Sequence, residues 1–559
     1  MALKSEHYNP ELTLPDILKR AASTPGAFIG FIDEKGLEDK ITYADLLLES
    51  TRLAVGLVNK GVKSGDKVII ATDTNKQTLK LLWGCFLCGA VPTVLQPPLT
   101  FSGYNPPVVK LINVSMQLNN PLVFMNTVPA GEGVPALNYI TAEMLDCTGE
   151  LPERSFYPED IAFIQFSSGS TGDAKGIMLS HFNIMVNLDA ITVGLNFHAN
   201  EVTGNWMPLF HDMGLIGYHL TPLYCRIIQW HIETIDFIKN PGLWLDLLTD
   251  QKVKITGCPN FGLALTLRFL KRMKSLPEWN FQHLEGLLNG AEPISVQIMK
   301  DFVKALEPYN FRPEAMMPVY GLAEATLAAT FTPLMTPYIV TAFDSVSLDK
   351  DDKAVEVNAN HKNARLLAGV GIPLNDIHIR IVDYNNREVG EGTTGVIQLK
   401  GDSITRGYFN RPEETENSFI DGWFITGDIG FYFKGNYYIS GRKKDIIFKN
   451  GRHYFANDLE ELSTQIDDIS YGKICFAGIT NHRTEEEKVI AFLAGSIGDK
   501  AKITLQHLRN LLRSTLGITL DELVMLRSNE IPKTSSGKLQ RYKLVQRYLA
   551  EDFTDNILR

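Results

Sequence analysis

Phe166-Ser-Ser-Gly-Ser-Thr-Gly-Asp-Ala-Lys-Gly176 gathers hydroxyls, glycines and one lysine directly behind the apolar run Ile161-Ala-Phe-Ile-Gln-Phe166. A β-strand opening into such a loop presents backbone N–H groups and hydroxyls to an anion, and glycine lets the backbone approach closely. The loop therefore reads as a phosphate-handling element. It is not a Walker A loop, because the Gly-x-x-x-x-Gly-Lys-Ser/Thr spacing is absent from it. A polar Gly/Ser surface loop would look the same in isolation, so the reading depends on partners elsewhere in the chain.

At 559 residues the chain exceeds a single hydrophobic core. Its 44% hydrophobic and 21% charged residues are those of an ordinary globular protein. A net charge of −10 argues against nucleic acid or an anionic membrane as the main partner, but leaves room for a small anion in a locally positive pocket. Cys85 and Cys88 form a C-x-x-C inside the apolar, helix-like Leu81–Ala90, with no second pair and no nearby histidine cluster. Buried helix thiols are expected there, not a zinc or redox site. The scattered cysteines fit a reducing cytoplasm. The absence of a signal-like h-region, and of any apolar run of about 18 residues, predicts no integral membrane association.

From about residue 40 to 440, short β-branched runs such as Lys67-Val-Ile-Ile-Ala71 and Lys254-Ile-Thr-Gly257 alternate with amphipathic stretches such as Tyr43 to Val58. This predicts an α/β fold, with a large N-terminal domain (1–441) of mixed and parallel sheets and flanking helices. The alternating segments Ile377–Val382 and Gly395–Lys400 predict a β subdomain within it, over about 367–441. Beyond the basic Arg442-Lys-Lys-Asp445, strand, helix and strand candidates at 473–480, 504–515 and 523–528 predict a small α+β C-terminal domain, 446–559. Ser345 to Asn363 is polar, charge-rich and without apolar periodicity, and reads as a long loop that is either functional or an insertion.

Several further clusters are individually unremarkable. Tyr320-Gly-Leu-Ala-Glu-Ala-Thr326 joins an aromatic that can stack on a purine to a carboxylate that can hold Mg²⁺ against phosphates. Gly290-Ala-Glu-Pro293 follows an apolar pair, Asp428 could accept two ribose hydroxyls, and Lys538 sits on a Gly-containing loop. In the order 166–176, 290–293, 320–326, 428, 442–451, 532–538, these motifs resemble the adenylate-forming (AMP-binding) superfamily of acyl-CoA synthetases, luciferases and peptide-synthetase adenylation domains, over nearly the whole chain.

The resemblance implies an ATP site. Ser167, Ser168, Gly169, Ser170, Thr171, Gly172 and Lys175 would cradle the β- and γ-phosphates. Gly290, Ala291, Glu292, Tyr320 and Gly321 would frame the adenine, Glu324 would ligate Mg²⁺, and Asp428 would hold the ribose with Arg442 assisting. Residues 442–445, centred on Lys444, would form the hinge of a mobile C-terminal lid, from which Lys538 reaches in as a catalytic residue. The family's general pattern has Thr immediately before the glutamate; this chain has Ala323, so Thr326 or a backbone group would take over that phosphate contact.

The alanine variant, together with Trp206-Met-Pro-Leu-Phe-His-Asp-Met-Gly-Leu-Ile-Gly217 and Cys258-Pro-Asn-Phe261, resembles the fatty acyl-AMP ligase branch. That branch carries an insertion, here 339–366, ahead of Gly369-Val-Gly-Ile-Pro-Leu374. In the branch it packs against the lid and disfavours the rotation that coenzyme A thioesterification needs. The implied reaction is attack of a fatty carboxylate on the α-phosphorus of ATP, then transfer of the acyl group to the phosphopantetheine thiol of an acyl carrier protein. No carrier serine motif occurs in this chain, so the carrier is a separate protein. His211 would lie beside the substrate carboxylate as a second catalytic residue, with Asp212, Met213, Phe261 and Leu263 walling the acyl pocket. Arg442-Lys-Lys444 with Lys449 and Arg452 could meet an acidic carrier helix. The alternatives are an ordinary acyl-CoA synthetase, an amino-acid adenylating enzyme for which only Asp212 offers an ammonium partner, and a non-catalytic nucleotide-binding homologue. The retention of Lys538, Glu324 and Asp428 counts against the last.

Overall fold

β-Branched strands separated by helices leave both sheet faces to be covered, and helices cover them here. The computed structural model describes residues 4–101, 105–166, 174–273, 277–449, 452–481, 486–495, 500–528, 530–533 and 539–559. Its largest sheet runs, in spatial order, Ile372–Pro373, Ala328–Phe331, Met316–Gly321, Gly286–Asn289, Ile255–Gly257, Val202–Asn205, Ile228–Ile232, Phe28–Ile32 and Glu38–Thr42. The strands from Met316–Gly321 to Phe28–Ile32 are parallel, and antiparallel strands finish both edges. A second, all-parallel sheet contains Val91–Val94, Lys67–Ile70, Leu122–Phe124 and Asn138–Ile140.

Ile161–Phe166 pairs antiparallel with Gly176–Ser180, with Phe166 opposite Gly176. The two strands are thus the stems of the Gly/Ser-rich loop. Ser167, Ser168, Gly169, Ser170, Thr171 and Gly172 lie outside the described residues, as does Lys538. Cys85 and Cys88 are fully buried on helix Asn75–Cys88, as the apolar run predicts, and burial raises both thiol pKa values.

The alternating segments behave as read. His378–Val382 pairs antiparallel with Gly395–Lys400, in a sheet completed by Phe419–Ile420, Trp423–Phe433 and Asn436–Arg442. At the C-terminal end, Ile474–Asn481, Glu486–Ala494, Glu522–Leu526 and Ile557–Leu558 form another sheet. It is packed by helices Ala456–Ser463 and Lys500–Leu516 around a core of its own, including Leu459, Phe476, Val489, Leu508 and Leu523. Among the described residues no helix is long and apolar enough to cross a membrane.

The long loop expected at 345–363 opens with a short helix, and only 351–363 runs without helix or strand. Val340–Asp344 pairs with Ala364–Ala368, and Asp344 caps a helix, Ser345–Lys350, by accepting from the Ser347 N–H at 2.9 Å. One apolar residue anchors the unit. Phe343 is fully buried, edge-on to Phe431, Tyr438 and Phe433 with centroids 5.0, 5.2 and 5.3 Å away. Such edge-to-face packing on another sheet is a tertiary contact that local periodicity does not report.

Candidate active site

A cavity of about 410 Å³ opens at the carboxyl ends of the central parallel strands, where the β subdomain and residues 442–444 face them. Open parallel sheets bind ligands at that end.

Gly321 makes its polar wall possible. A Cβ there would lie 2.0 Å from the Leu327 carbonyl oxygen, so only glycine lets the chain double back after Met316–Gly321. A 3₁₀ turn, Ala323–Ala325, then presents Glu324 to the cavity. Thr326 follows at φ 67°, ψ −60°, with the Leu327 N–H donating to the Ala325 carbonyl at 2.8 Å. This is a γ-turn, strained for a β-branched residue, and such strain tends to collect at functional sites. The turn also corrects the expectation for Thr326. The residue is fully buried and its hydroxyl donates to the Ser403 carbonyl at 2.7 Å, so it braces the Glu324 turn and does not face a phosphate.

Glu324 Oε1 accepts from the Tyr408 hydroxyl at 3.0 Å. Burial raises its carboxyl pKa, with Tyr408 and the more distant Arg442 opposing. Lys175 Nζ lies 4.6 Å from the Tyr408 ring centroid, so Tyr408 stands between the loop lysine and the glutamate. Among the described residues no cluster of three or more His, Cys, Asp or Glu could hold a metal. One carboxylate facing the cavity near the stems of the Gly/Ser-rich loop nevertheless suits Mg²⁺, which keeps most of its waters and takes one or two carboxylates plus substrate phosphates.

Across the cavity, Asp428 and Arg442 are cross-strand partners. Arg442 Nε donates to Asp428 Oδ1 at 2.9 Å and the Tyr320 hydroxyl to Oδ2 at 2.7 Å. Asp428 is 3% exposed, and its charge raises the Arg442 pKa further. Each carboxylate oxygen keeps a second lone pair for a ligand hydroxyl. His211 lines the same cavity, its Nδ1 2.7 Å from Asp212 Oδ1.

Of the four residues expected at the acyl wall, Asp212 and Met213 line the cavity and Phe261 and Leu263 do not. The apolar wall includes Met213, Gly217 and Tyr218, all on the π-helix Met213–Leu220. Pro222 has no N–H to offer the preceding turn, and Thr221 bonds the Ile216 carbonyl through both its N–H and its hydroxyl. Behind this helix, His219 Nε2 accepts from Trp83 Nε1 at 2.8 Å. The proton is therefore on Nδ1, which donates to Gln229 Oε1 at 2.9 Å. Burial lowers the His219 pKa to about 4, keeping the ring neutral. Ile191, Leu195, Leu327 and Phe331 complete the wall. Phe261 and Leu263 do not line it: Phe261 packs edge-on against Trp206 with centroids 5.5 Å apart, and Leu263 is fully buried in the core.

Two more placements differ. Ala291, at φ 67°, lines the cavity, and Gly290 packs where a Cβ would meet Val319 Cγ2 at 2.7 Å. Glu292 turns away: its Oε1 accepts the Phe261 N–H at 2.8 Å, capping helix Asn260–Arg272, and its Oε2 accepts from the Tyr471 hydroxyl at 3.4 Å. It joins the N-terminal core to the C-terminal region instead of framing a base. The basic run expected to meet a carrier is also engaged. Arg442 is held by Asp428, Lys443 and Lys444 line the cavity, and Lys449 Nζ bonds Asp521 at 2.8 Å. The Lys444 pKa is lowered by burial and then by Lys175 and Arg442.

The insertion meets the C-terminal region where helix Ser345–Lys350 packs against strand Arg452–Phe455, and Arg365 adds a charged contact there. Arg365 Nη2 lies 2.8 Å from both Asp349 Oδ2 and Asp458 Oδ2. One cation between two buried carboxylates leaves a net negative charge. Burial, with Asp349, Glu461 and Glu460 nearby, pushes Asp458 up to about 7 against the pull of Arg365. Asp445 is tied in turn to Arg541 at 3.1 Å, and Arg541 to Glu460 at 2.6 Å.

Lys110 and Tyr408 are cavity residues that the motif reading missed. The available signal for Lys110 is a lone charge in the otherwise uncharged helix Pro106–Gln117.

The stems of the Gly/Ser-rich loop, a carboxylate on a strained turn and an aspartate held by Tyr320 and Arg442 come together as in an adenylate-forming enzyme. The AMP-binding enzyme family model matches residues 18–105 and 114–409, and the chain belongs to that family. A Caulobacter vibrioides protein carrying an acyl-CoA synthetase name is 32% identical, over 93% of this chain and 92% of its own. The medium-chain-fatty-acid–[acyl-carrier-protein] ligase TtuA of Teredinibacter turnerae is 32% identical, over 73% of this chain and 66% of its own. A solved structure from a study of fatty acyl-adenylate ligases of E. coli and L. pneumophila superposes with a TM-score of 0.88 at 28% identity, covering 98% of this chain and 99% of that one.

Proposed function

We propose that this chain converts a fatty acid and ATP to fatty acyl-AMP and pyrophosphate, then passes the acyl group to the phosphopantetheine thiol of a separate acyl carrier protein. The observation that carries the reading is the two-sided cavity: Glu324, Lys175 and the Asp428 partners Tyr320 and Arg442 on one side, and an apolar wall of Ile191, Leu195, Met213, Gly217, Leu327 and Phe331 on the other. The names of the fatty acyl-adenylate and acyl-carrier-protein ligases it resembles point the same way.

In the first step a carboxylate oxygen bonds to the α-phosphorus while the bond from that phosphorus to the β-phosphate bridge breaks, and pyrophosphate carries off the charge. Asp428 takes the ribose hydroxyls, steadied by Tyr320 and Arg442. Ala291 and Gly321 lie at the base, His211 lies beside the incoming carboxylate, and Lys175 takes phosphate charge. Glu324 would hold Mg²⁺, whose chemistry is to neutralise the leaving pyrophosphate. In the second step the carrier thiolate attacks the acyl carbon and AMP leaves. The division into an N-terminal domain (1–441), a hinge (442–445) and a lid (446–559) belongs to this proposal, with Lys444 as the pivot.

Incubation with ATP, Mg²⁺ and fatty acids of graded length, read by acyl-AMP mass with and without coenzyme A, tests the reading. Efficient thioester formation on free coenzyme A would move the chain to the ordinary acyl-CoA synthetases. Exchange driven by amino acids would displace fatty acids as substrates.

Gly217 gives a chain-length prediction. A Cβ there would sit 3.1 Å from Leu327 Cδ2, so Gly217→Leu fills the apolar side. Each methylene denied burial loses about 0.8 kcal/mol, or roughly fourfold. Activity with long acids should fall by about tenfold or more while short acids are spared. An equal loss across the series would mean that the chain runs elsewhere.

The Arg365 contact supports the acceptor preference. Deleting 339–366 would strip Phe343 from Phe431 and Tyr438, whereas Arg365→Ala leaves the unit anchored and removes its hold on Asp458. Two buried carboxylates then face each other uncompensated. Acyl-CoA formation should rise by about tenfold if docking restrains the lid; an unchanged ratio of acyl-CoA to acyl-AMP would dismiss the restraint. Because the docked Asp458 holds its proton up to about pH 7, docking is tightest below that and weakens above it. Asp458→Asn should flatten the corresponding rise in coenzyme A leakage with pH.

A further inference from the structure

Lys110 is the one charged residue on helix Pro106–Gln117. The helix packs Leu111 and Val114 against Ile164, Phe166 and Ala174, which flank both ends of the phosphate loop. Lys110 lines the cavity, and its Nζ donates to the Phe166 carbonyl at 3.3 Å, on the last residue of the strand before the loop. Phe166 is opposite Gly176, and Lys175 adjoins Gly176. The two lysines therefore stand at the two stems of one hairpin. No carboxylate pairs with Lys110 among the described residues. Burial alone lowers its pKa, to about 8.

A desolvated ammonium without a counter-ion is costly to keep. The other ionisable groups of the cavity do not relieve it. Lys175, Lys443 and Lys444 add positive charge, Arg442 is paired with Asp428, and the two carboxylates lining the cavity, Glu324 and Asp212, are outnumbered by its four lysines. The cavity thus holds a surplus of positive charge at the root of the loop. We propose that Lys110 is a second polyphosphate-binding cation, which takes the β- and γ-phosphates of ATP, and then pyrophosphate, from the Phe166 stem as Lys175 does from the Gly176 stem. This rests on the ATP-site reading above. It also has a thermodynamic signature. With the free amine half-protonated near pH 8, an arriving polyanion restores its proton, so Lys110 takes up a proton on binding at pH 8 but adds none at about pH 6.5, where it is already charged.

The test is calorimetric titration of the full chain with inorganic pyrophosphate and, separately, with ATP, at pH 8 and 6.5, in buffers of different ionisation enthalpy. Lys110→Met should weaken pyrophosphate binding by about ten- to a hundredfold and abolish the extra proton uptake at pH 8. Lys110→Arg should keep affinity within about threefold while also losing the uptake, since guanidinium is always charged. Wild-type affinity and proton count in the Met variant would overturn the inference. Equal weakening in the Met and Arg variants would overturn it too, by assigning Lys110 a packing role. Failure of the wild type to bind either probe would instead strike the ATP-site reading itself, and the inference with it.

Discussion

Glu324→Gln should lower acyl-adenylate formation by roughly 10²- to 10³-fold, the loss typical when a group aimed at developing charge is removed. ATP–pyrophosphate exchange with a fatty acid measures it, and the variant should demand far more Mg²⁺ to reach half its own maximum. Glutamine keeps the size of the side chain, and its carbonyl can accept from Tyr408, so the 3₁₀ turn and the γ-turn at Thr326 stay intact. Stability should move the other way. Burial raises the folded-state pKa of Glu324, so the folded protein binds a proton more tightly than the unfolded chain, and ionisation at higher pH destabilises the fold. Thermal melts should therefore show the glutamine variant at least as stable as wild type at pH 8, with the difference vanishing at low pH, where the carboxyl is protonated in both states. Lost activity with gained stability is the mark of a carboxylate kept for chemistry. Exchange within about threefold of wild type would end that assignment.

The fold was legible where periodicity and local chemistry agree. Ile377–Val382 and Gly395–Lys400 pair as their alternation requires, and the strand and helix candidates at 473–480, 504–515 and 523–528 correspond to Ile474–Asn481, Lys500–Leu516 and Glu522–Leu526. The polar side of the cavity was legible because its residues sit in short motifs. Asp428 meets Tyr320 from a distant segment, yet each carried its own signal. The apolar side was not. Ile191, Leu195, Leu327 and Phe331 are ordinary hydrophobic residues that become a wall only through the crossing of helix His181–Gly194 with the sheet edge, while Phe261 and Leu263, equally apolar, are spent on the core. Side-chain direction was hidden in the same way. Nothing local tells that Glu292 points to a helix N-terminus or that the Thr326 hydroxyl turns to Ser403. Within the 339–366 insertion the short helix Ser345–Lys350 was not legible, because tertiary contacts, chiefly those of Phe343 and Leu348, hold it.

Lys538→Ala should separate the two half-reactions. In the first, charge builds on the bridging oxygen between the α- and β-phosphates as the P–O bond breaks, and the entering carboxylate is itself an anion, so one further cation beside the reacting atoms is worth several kcal/mol. In the second, a thiolate attacks an acyl carbon and expels AMP, with the polyphosphate already gone. A lysine serving the first step should then cost roughly 10²- to 10³-fold in adenylate formation when removed, and less than about tenfold in transfer from preformed acyl-AMP to a carrier thiol. Lys533 and Leu539, which flank the segment, form an antiparallel bridge, and the Gln540 N–H donates to the Pro532 carbonyl at 2.8 Å, so truncating Lys538 leaves these anchors in place. ATP binding should persist on the contacts proposed for Asp428, Tyr320, Arg442 and Lys175. Rapid-quench measurement of each half-reaction, with acyl-AMP supplied for the second, decides the matter. Equal losses in both would mean that Lys538 supports the lid as a whole, and survival of adenylation would hand the role to the cations already facing the cavity, Lys110, Lys443 and Lys444.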